Sequence, residues 1–299
     1  AIHAKSLAEN PILLVLSADH MIKDVKAFHT ALADAITAAE AGHLATFGVN
    51  PTRPETGYGY IKTKRDLAGE AIFYPVAQFV NQPNLATAEK YLAEGCYYWN
   101  SGMFVFQTEV FLKELQEQSA EVVIAAEQAK VWAVQDLDFI RIDRESIAQA
   151  PNISIDYALM EKSANVVCVP FSAGWSDGGD WKSFWDLSDK DASGNSRMGA
   201  CIDIGSTNTL VFSQDNLVAT LGVNNLMIVN TPDAVLVADQ SQAQQVKSII
   251  TLIEKQKRSE HLQHREIYRP WGCYDAIDNG DRYQVNRIRV KPGGSLSLQ

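Results

Sequence analysis

Two aspartates each follow a hydrophobic stretch, where a strand would end. Asp19 closes Ile12-Leu13-Leu14-Val15-Leu16-Ser17-Ala18-Asp19-His20, and Asp177 lies in Gly174-Trp175-Ser176-Asp177-Gly178-Gly179. A buried strand ending in a carboxylate is how an open α/β sheet presents a metal ligand at its carboxyl edge. Mg²⁺ suits such a pair, because it keeps waters and needs only one or two carboxylates besides phosphate oxygens. A lone strand-end Asp more often caps a turn, so the residues alone favour the plainer role. Between the two aspartates lie Pro54-Glu55-Thr56-Gly57-Tyr58-Gly59-Tyr60-Ile61 and Tyr98-Trp99-Asn100-Ser101-Gly102-Met103-Phe104. Gly57 and Gly59 would let backbone approach a ligand closely, although Gly-Tyr-Gly is more often a turn with packed aromatics. The Asn100 amide can both donate and accept, which suits sugar hydroxyls as well as a turn. Trp175, Trp181 and Trp185 read as core. His20 either orients Asp19 or packs locally. His261 and His264 have metal-ligand spacing but no acidic or thiol neighbours, so a solvated linker is expected there.

The elements that must position these residues follow from periodicity. Residues 12–16 form a continuous apolar run, as in a strand buried on both faces. Phe28, Leu32, Ile36 and Ala39 share one helical face over 27–41, and Ala45 to Val49 reads as the next strand. That predicts a β-α-β unit with a parallel pair. Further strands are predicted at 72–80, 103–106 and 165–169. Helices are predicted at 85–94, with Gly95 as the stop, and at 108–118, with Thr108 as the cap. Residues 2–9 read as an uncapped helix. After about Asp186 come short strands at 209–213, 217–221, 226–230 and 235–238, then a helix at 241–257, a polar linker at 258–267 and a strand at 283–290. No internal repeat stands out.

With 46% hydrophobic and 21% charged residues in 299, the chain reads as a soluble globular protein. The net charge of −10 argues against nucleic acid and anionic membrane as partners. No run approaches the roughly 18–20 apolar residues of a membrane span, and no basic leader precedes an apolar core. Cys96, Cys168, Cys201 and Cys273 are far apart and fit neither a zinc site nor a disulfide framework. Reduced thiols and a cytoplasmic location are expected.

In order and wording, the four segments around Asp19, Gly57, Asn100 and Asp177 resemble the bacterial mannose-1-phosphate guanylyltransferases. The likeness is to the bifunctional type II members, sugar nucleotidyltransferases fused to a mannose-6-phosphate isomerase domain. Further matches are Ser154-Ile155-Asp156-Tyr157-Ala158-Leu159-Met160-Glu161-Lys162, Thr231 to Ala238, Tyr268-Arg269-Pro270-Trp271-Gly272, Val290-Lys291-Pro292-Gly293 and Leu296 to Gln299. The resemblance implies an α/β fold. A Rossmann-like nucleotidyltransferase sheet, incomplete at its N-terminus, would occupy 1–187. A small β-rich linker domain with a terminal helix would occupy 188–260, and the start of a cupin isomerase barrel 261–299. It implies Mg²⁺ held by Asp19 and Asp177 as the catalytic centre. It also implies substrate contacts from Glu55, Gly57, Tyr58, Gly59, Asn81, Gln82, Asn100, Glu161 and Lys162. The implied partners are GTP, mannose 1-phosphate and GDP-mannose, serving surface polysaccharide synthesis, and a homo-oligomer is left open.

Three departures modify this expectation. The family's glycine-rich N-terminal segment, which cradles the triphosphate, is not found here. The isomerase metal ligands would lie beyond Gln299. The chain therefore reads as a piece of a longer protein, inactive or nearly so alone. Phe79-Val80-Asn81-Gln82-Pro83 stands where the family has Phe-Val-Glu-Lys-Pro, so both charges are lost. Gly178 and Asp180 also replace the usual Val and Ser. A degenerate, non-catalytic nucleotide-sugar-binding relative, or a transferase for another hexose 1-phosphate, is the competing reading.

Overall fold

Leu44–Val49 is buried at all six positions, because the strand is sandwiched between apolar side chains on both faces. It belongs to the first of two compact units, Ala1–Asp177 and Gly178–Gln299. The computed structural model describes every residue except 65–70, 137–138, 179–180, 259–264, 281 and 296–299. Asp180, His261, His264 and the stretch 296–299 therefore lie outside the described residues.

The first unit runs α1 (Ile2–Lys5), β1 (Ile12–Val15), β2 (Met21–Ile22), α2 (Val25–Glu40), β3 (Leu44–Val49), β4 (Tyr60–Thr63) and β5 (Tyr74–Val80). It continues with α3 (Leu85–Glu94), β6 (Tyr97–Gln107), α4 (Thr108–Gln118), α5 (Ala120–Val131), β7 (Val134–Asp136), β8 (Phe139–Arg141) and α6 (Arg144–Ile147). A π-helical turn (Asp156–Met160), β9 (Val166–Phe171) and β10 (Trp175–Ser176) complete it. The main sheet has the order β1-β6-β3-β9-β5-β4, and β4 also pairs with β6.

Side chains on β3 and β9 alternate between two cores. Ala45, Phe47, Val49, Val167, Val169 and Phe171 face α2, which contributes Phe28, Ala31, Ala35, Ala38 and Ala39. Leu44 and Val166 face the other layer, with Leu115, Val123 and Leu159. The alanines let α2 lie close to the sheet, and Asp24 caps its start by accepting from Ala27 N at 2.9 Å. α3 ends as expected, with Gly95 at φ 69°. Cys168 is fully buried behind the sheet with Ile61 and Tyr98, and burial pushes its thiol pKa upward. Native protein at pH 8 should therefore leave Cys168 unlabelled by a thiol reagent, and denaturant should expose it. Labelling of Cys168 in the native state, read by peptide mass spectrometry, would contradict this packing.

Several expectations need correction. β1 is not buried on both faces; Leu14 and Val15 are exposed, because it is an edge strand paired antiparallel to β6 alone. β1 and β3 are not neighbours either, since β6 lies between them; the parallel neighbour of β3 is β9. Thr108 is not a cap. It opens α4 with its hydroxyl donating to Pro11 O at 2.7 Å, while Asn10 Oδ1 accepts from Glu109 N at 2.9 Å. The first helix stops at Lys5. The strand at 103–106 extends from Tyr97 to Gln107, so the whole Tyr98–Phe104 signature is strand.

The second unit contains α7 (Trp181–Leu187), β11 (Ser196–Met198), β12 (Cys201–Ile204), β13 (Leu210–Ser213), β14 (Val218–Leu221), β15 (Leu226–Asn230) and β16 (Val235–Asp239). The helix expected at 241–257 is split into a 3₁₀ segment (Gln240–Gln245) and α8 (Val246–Lys255). β17 (Glu266–Arg269), β18 (Gly272–Gly280) and β19 (Tyr283–Val290) form an antiparallel sheet. An internal repeat is present after all. Cys201 pairs with Val218 and Leu210 with Met227, both in parallel and both offset by 17 residues. Asn208 and Asn225 take positive φ (52° and 58°) at that same offset, turning successive coils alike. The repeat hid in the sequence because between these coils only Gly205/Gly222 and Asn208/Asn225 recur in identity; elsewhere what recurs is apolar character. Among the described residues no helix is long and apolar enough to cross a membrane.

Candidate active site

The short β2–β10 ladder pairs the two chain segments that carry the aspartates. Trp175 pairs with Ile22 and Ser176 with Met21, antiparallel. Asp177 directly follows Ser176, and Asp19 lies two residues ahead of Met21. Asp19 is exposed and Asp177 half-buried. Trp175 Nε1 donates to His20 Nδ1 at 3.3 Å, and the two rings meet edge to face. His20 thus packs on Trp175, and Trp175 is buried as expected.

The Gly57 loop closes on itself through Glu55. Glu55 Oε1 accepts from Thr56 N and Gly57 N, each at 2.9 Å, and Oε2 accepts from Arg53 Nε at 3.1 Å. The Tyr60 hydroxyl donates to Glu55 O at 2.8 Å and accepts from Glu55 N at 3.0 Å. Gln82, at the end of β5, donates to Gly57 O at 3.2 Å. Tyr58 projects from this loop and donates to Asp177 Oδ1 at 3.2 Å. Gly59 O accepts from Asn100 N at 2.8 Å.

Asn100 sits where β6 bulges. Thr46 pairs with Phe104 but Gly48 pairs with Asn100, so extra residues loop out on β6. Gly102 takes φ 64° to allow it, and Ser101 Oγ fills the gap by donating to Phe47 O at 2.7 Å. Asn100 Oδ1 accepts from Gly102 N (3.1 Å) and its Nδ2 donates to Asp156 Oδ1 (3.0 Å). Asp156 opens the π-helical turn, a conformation that recurs at functional sites. The next residue, Tyr157, donates its hydroxyl to Asn81 Oδ1 at 3.2 Å.

A connected set of bonds and ring contacts thus links Asp177, Tyr58, Gly57, Gly59, Gln82 and Asn100, and a second bond joins Asn81 to the same π turn. Glu161 follows that turn; burial, then the nearby Asp156, raises its pKa. Lys162 points elsewhere. Its ammonium donates to Gln118 O (3.4 Å) and Ser119 Oγ (3.3 Å), at the α4–α5 junction. Sequence reasoning passed over Asp156 and Tyr157 as partners, although both stand in the quoted Ser154–Lys162 run. It also passed over Arg53, whose guanidinium lies 5.8 Å from the Trp99 ring centroid. Trp99 Nε1 is a buried side-chain donor with no hydrogen-bond partner among the described residues.

The carboxylate pair fits a hard divalent ion that brings its own waters. Among the described residues no group of three or more His, Cys, Asp or Glu is placed to hold a metal ion.

A nucleotidyl transferase profile matches residues 1–194. A mannose-phosphate isomerase/GMP-like β-helix domain matches 199–252, and the C-terminal part of mannose-6-phosphate isomerases matches 256–299. The chain belongs to the nucleotidyl transferase family, with a β-rich region following the transferase fold. Members of this family generally use a divalent metal. The chain is 49% identical over 292 residues to a mannose-1-phosphate guanylyltransferase of Escherichia coli K12, covering 97% of this chain and 61% of that one. It is 46% identical over 299 residues to the xanthan biosynthesis protein XanB of Xanthomonas campestris, covering 63% of that protein. A solved mannose-1-phosphate geranyltransferase from Thermus thermophilus superposes with a TM-score of 0.70 at 33% identity, covering 84% of this chain and 71% of that one. The chain spans about three fifths of the length of the curated relatives it matches.

Proposed function

We propose that this protein is a mannose-1-phosphate guanylyltransferase, working in the cytoplasm on the way to surface polysaccharide. A phosphate oxygen of mannose 1-phosphate attacks the α-phosphorus of GTP, and pyrophosphate leaves with its electron pair. The observation that carries this reading is the β2–β10 ladder, with Asp19 two residues ahead of one strand and Asp177 directly after the other. These carboxylates would hold Mg²⁺, which supplies charge neutralisation at the reacting phosphate. The remaining work is positioning. The Gly57–Gly59 loop offers backbone beside Asp177. Asn100 keeps a second amide hydrogen and a second lone pair for mannose hydroxyls, because Asp156 and Gly102 each use only one. Glu161 flanks the same turn as a further hydroxyl acceptor. Lys162 would have to leave Gln118 O to reach a phosphate.

Asn100→Ala tests the sugar assignment. It should raise the KM for mannose 1-phosphate about tenfold, matching one lost hydrogen bond of about 1.5 kcal/mol. The KM for GTP should stay unchanged. Equal effects on both substrates would count against a sugar contact. The family's triphosphate segment is joined ahead of Ala1 for such turnover assays.

Asn81 and Gln82 favour the second reading, a binding protein that has lost turnover. Here Gln82 still ties the Gly57 loop and Asn81 still meets Tyr157. A Lys and a Glu could make the same bonds with charge added. The positions keep their geometry and lose their electrostatics, so Gln82→Lys should speed turnover in an active enzyme.

A further inference from the structure

Resting on the reading of Asp177 as a metal ligand, we propose that Tyr58 is the positioning residue of that carboxylate, held for the task by Trp99 and Trp175. The Tyr58 hydroxyl donates to Asp177 Oδ1 at 3.2 Å. That is long for an O–H···O bond. A phenol donates at neutral pH and carries no charge. It can fix which face of a carboxylate is left to a cation without competing for that cation. Partners of this kind orient metal ligands and tune their affinity.

The ring is itself fixed from two sides. Trp99 meets it edge to face at 5.3 Å (72°) and Trp175 at 5.4 Å (64°). The two indoles come from different strands, β6 and β10. Trp175 precedes Asp177 by two residues and is tied in turn to His20, the neighbour of Asp19. One aromatic cluster therefore touches the surroundings of both carboxylates. Plain core packing does not account for it. Tyr58 is only half-buried, and among the described residues the buried indole N–H of Trp99 finds no partner. An unsatisfied buried donor is a cost that native proteins rarely accept without a functional reason. A phenylalanine at 58 would pack against both indoles equally well, so the hydroxyl is the part that stability does not explain.

The test is Mn²⁺ alone, titrated into the full chain and followed by water-proton relaxation, for wild type, Tyr58→Phe and Asp177→Asn. Tyr58→Phe keeps the ring and both indole contacts, so the melting temperature should stay the same. Mn²⁺ affinity should fall about tenfold, the lower end expected for losing such a partner. Unchanged affinity in Tyr58→Phe, alongside lost binding in Asp177→Asn, overturns the role of Tyr58 and leaves the metal reading standing. Unchanged binding in Asp177→Asn overturns the metal reading itself, and the Tyr58 role with it.

Discussion

Asp177→Asn should lower kcat/KM for GDP-mannose formation by about 1000-fold, roughly 4 kcal/mol of transition-state stabilisation. The substitution is nearly isosteric, and the new amide oxygen can still accept from Tyr58. The local fold is therefore kept while one of two negative ligands is removed. The loss should appear mainly in kcat, since neutralisation of the reacting phosphate matters most in the transition state. Raising Mg²⁺ should recover part of it. Asp19→Asn should behave alike, because on the proposed function both carboxylates would hold the same ion. A fall of less than tenfold, in protein with an unchanged melting temperature, would remove Asp177 from the metal site.

Gly48→Ala should cost the first unit about 3 kcal/mol, at the upper end for overpacking a filled core. A Cβ there would collide with Cys168 Sγ and lie 2.8 Å from Tyr98 Cβ. Both walls are fixed, since Cys168 is fully buried on β9 and Tyr98 lies within β6. Backbone strain has no part in this, so the effect should be relieved from the wall. Cys168→Ala should recover much of the loss in the Gly48→Ala background while costing something on its own. That non-additivity is the signature of direct contact. Additive effects in chemical denaturation would show that the two positions do not meet. Gly48 also pairs with Asn100 across the bulge, so a shifted β3 should disturb the candidate sugar site as well.

What the sequence made legible follows a physical line. Periodicity located β3, α2 and α3 because burial and helix stops are written locally, in Phe28 and Gly95. It misjudged β1 and its neighbours, since which strand lies next to which depends on partners about ninety residues away. The apolar run at 12–16 looked like a central strand, yet it is an edge, and no property of Leu14 or Val15 reveals that. The coil repeat of the second unit escaped for a related reason. Its parallel register relies on turn positions such as Asn208 and Asn225, and these differ in their surroundings.

At the site, the residue types were readable and their partners were not. Asp19, Tyr58, Asn100 and Asp177 stood out by motif. The bond from Asn100 to Asp156 spans 56 residues, and that from Tyr58 to Asp177 spans 119. Lys162 shows the converse case. The motif placed it with the substrate, and the fold ties its ammonium to the α4–α5 junction.

The most direct test of the central claim is product analysis with GTP, Mg²⁺ and either mannose 1-phosphate or glucose 1-phosphate. For this assay the family's glycine-rich segment is joined ahead of Ala1. The account predicts GDP-mannose and pyrophosphate in equal amounts, dependent on Mg²⁺, with little product from glucose 1-phosphate. Folded protein that forms no GDP-mannose, or forms GDP-glucose equally well, would contradict it.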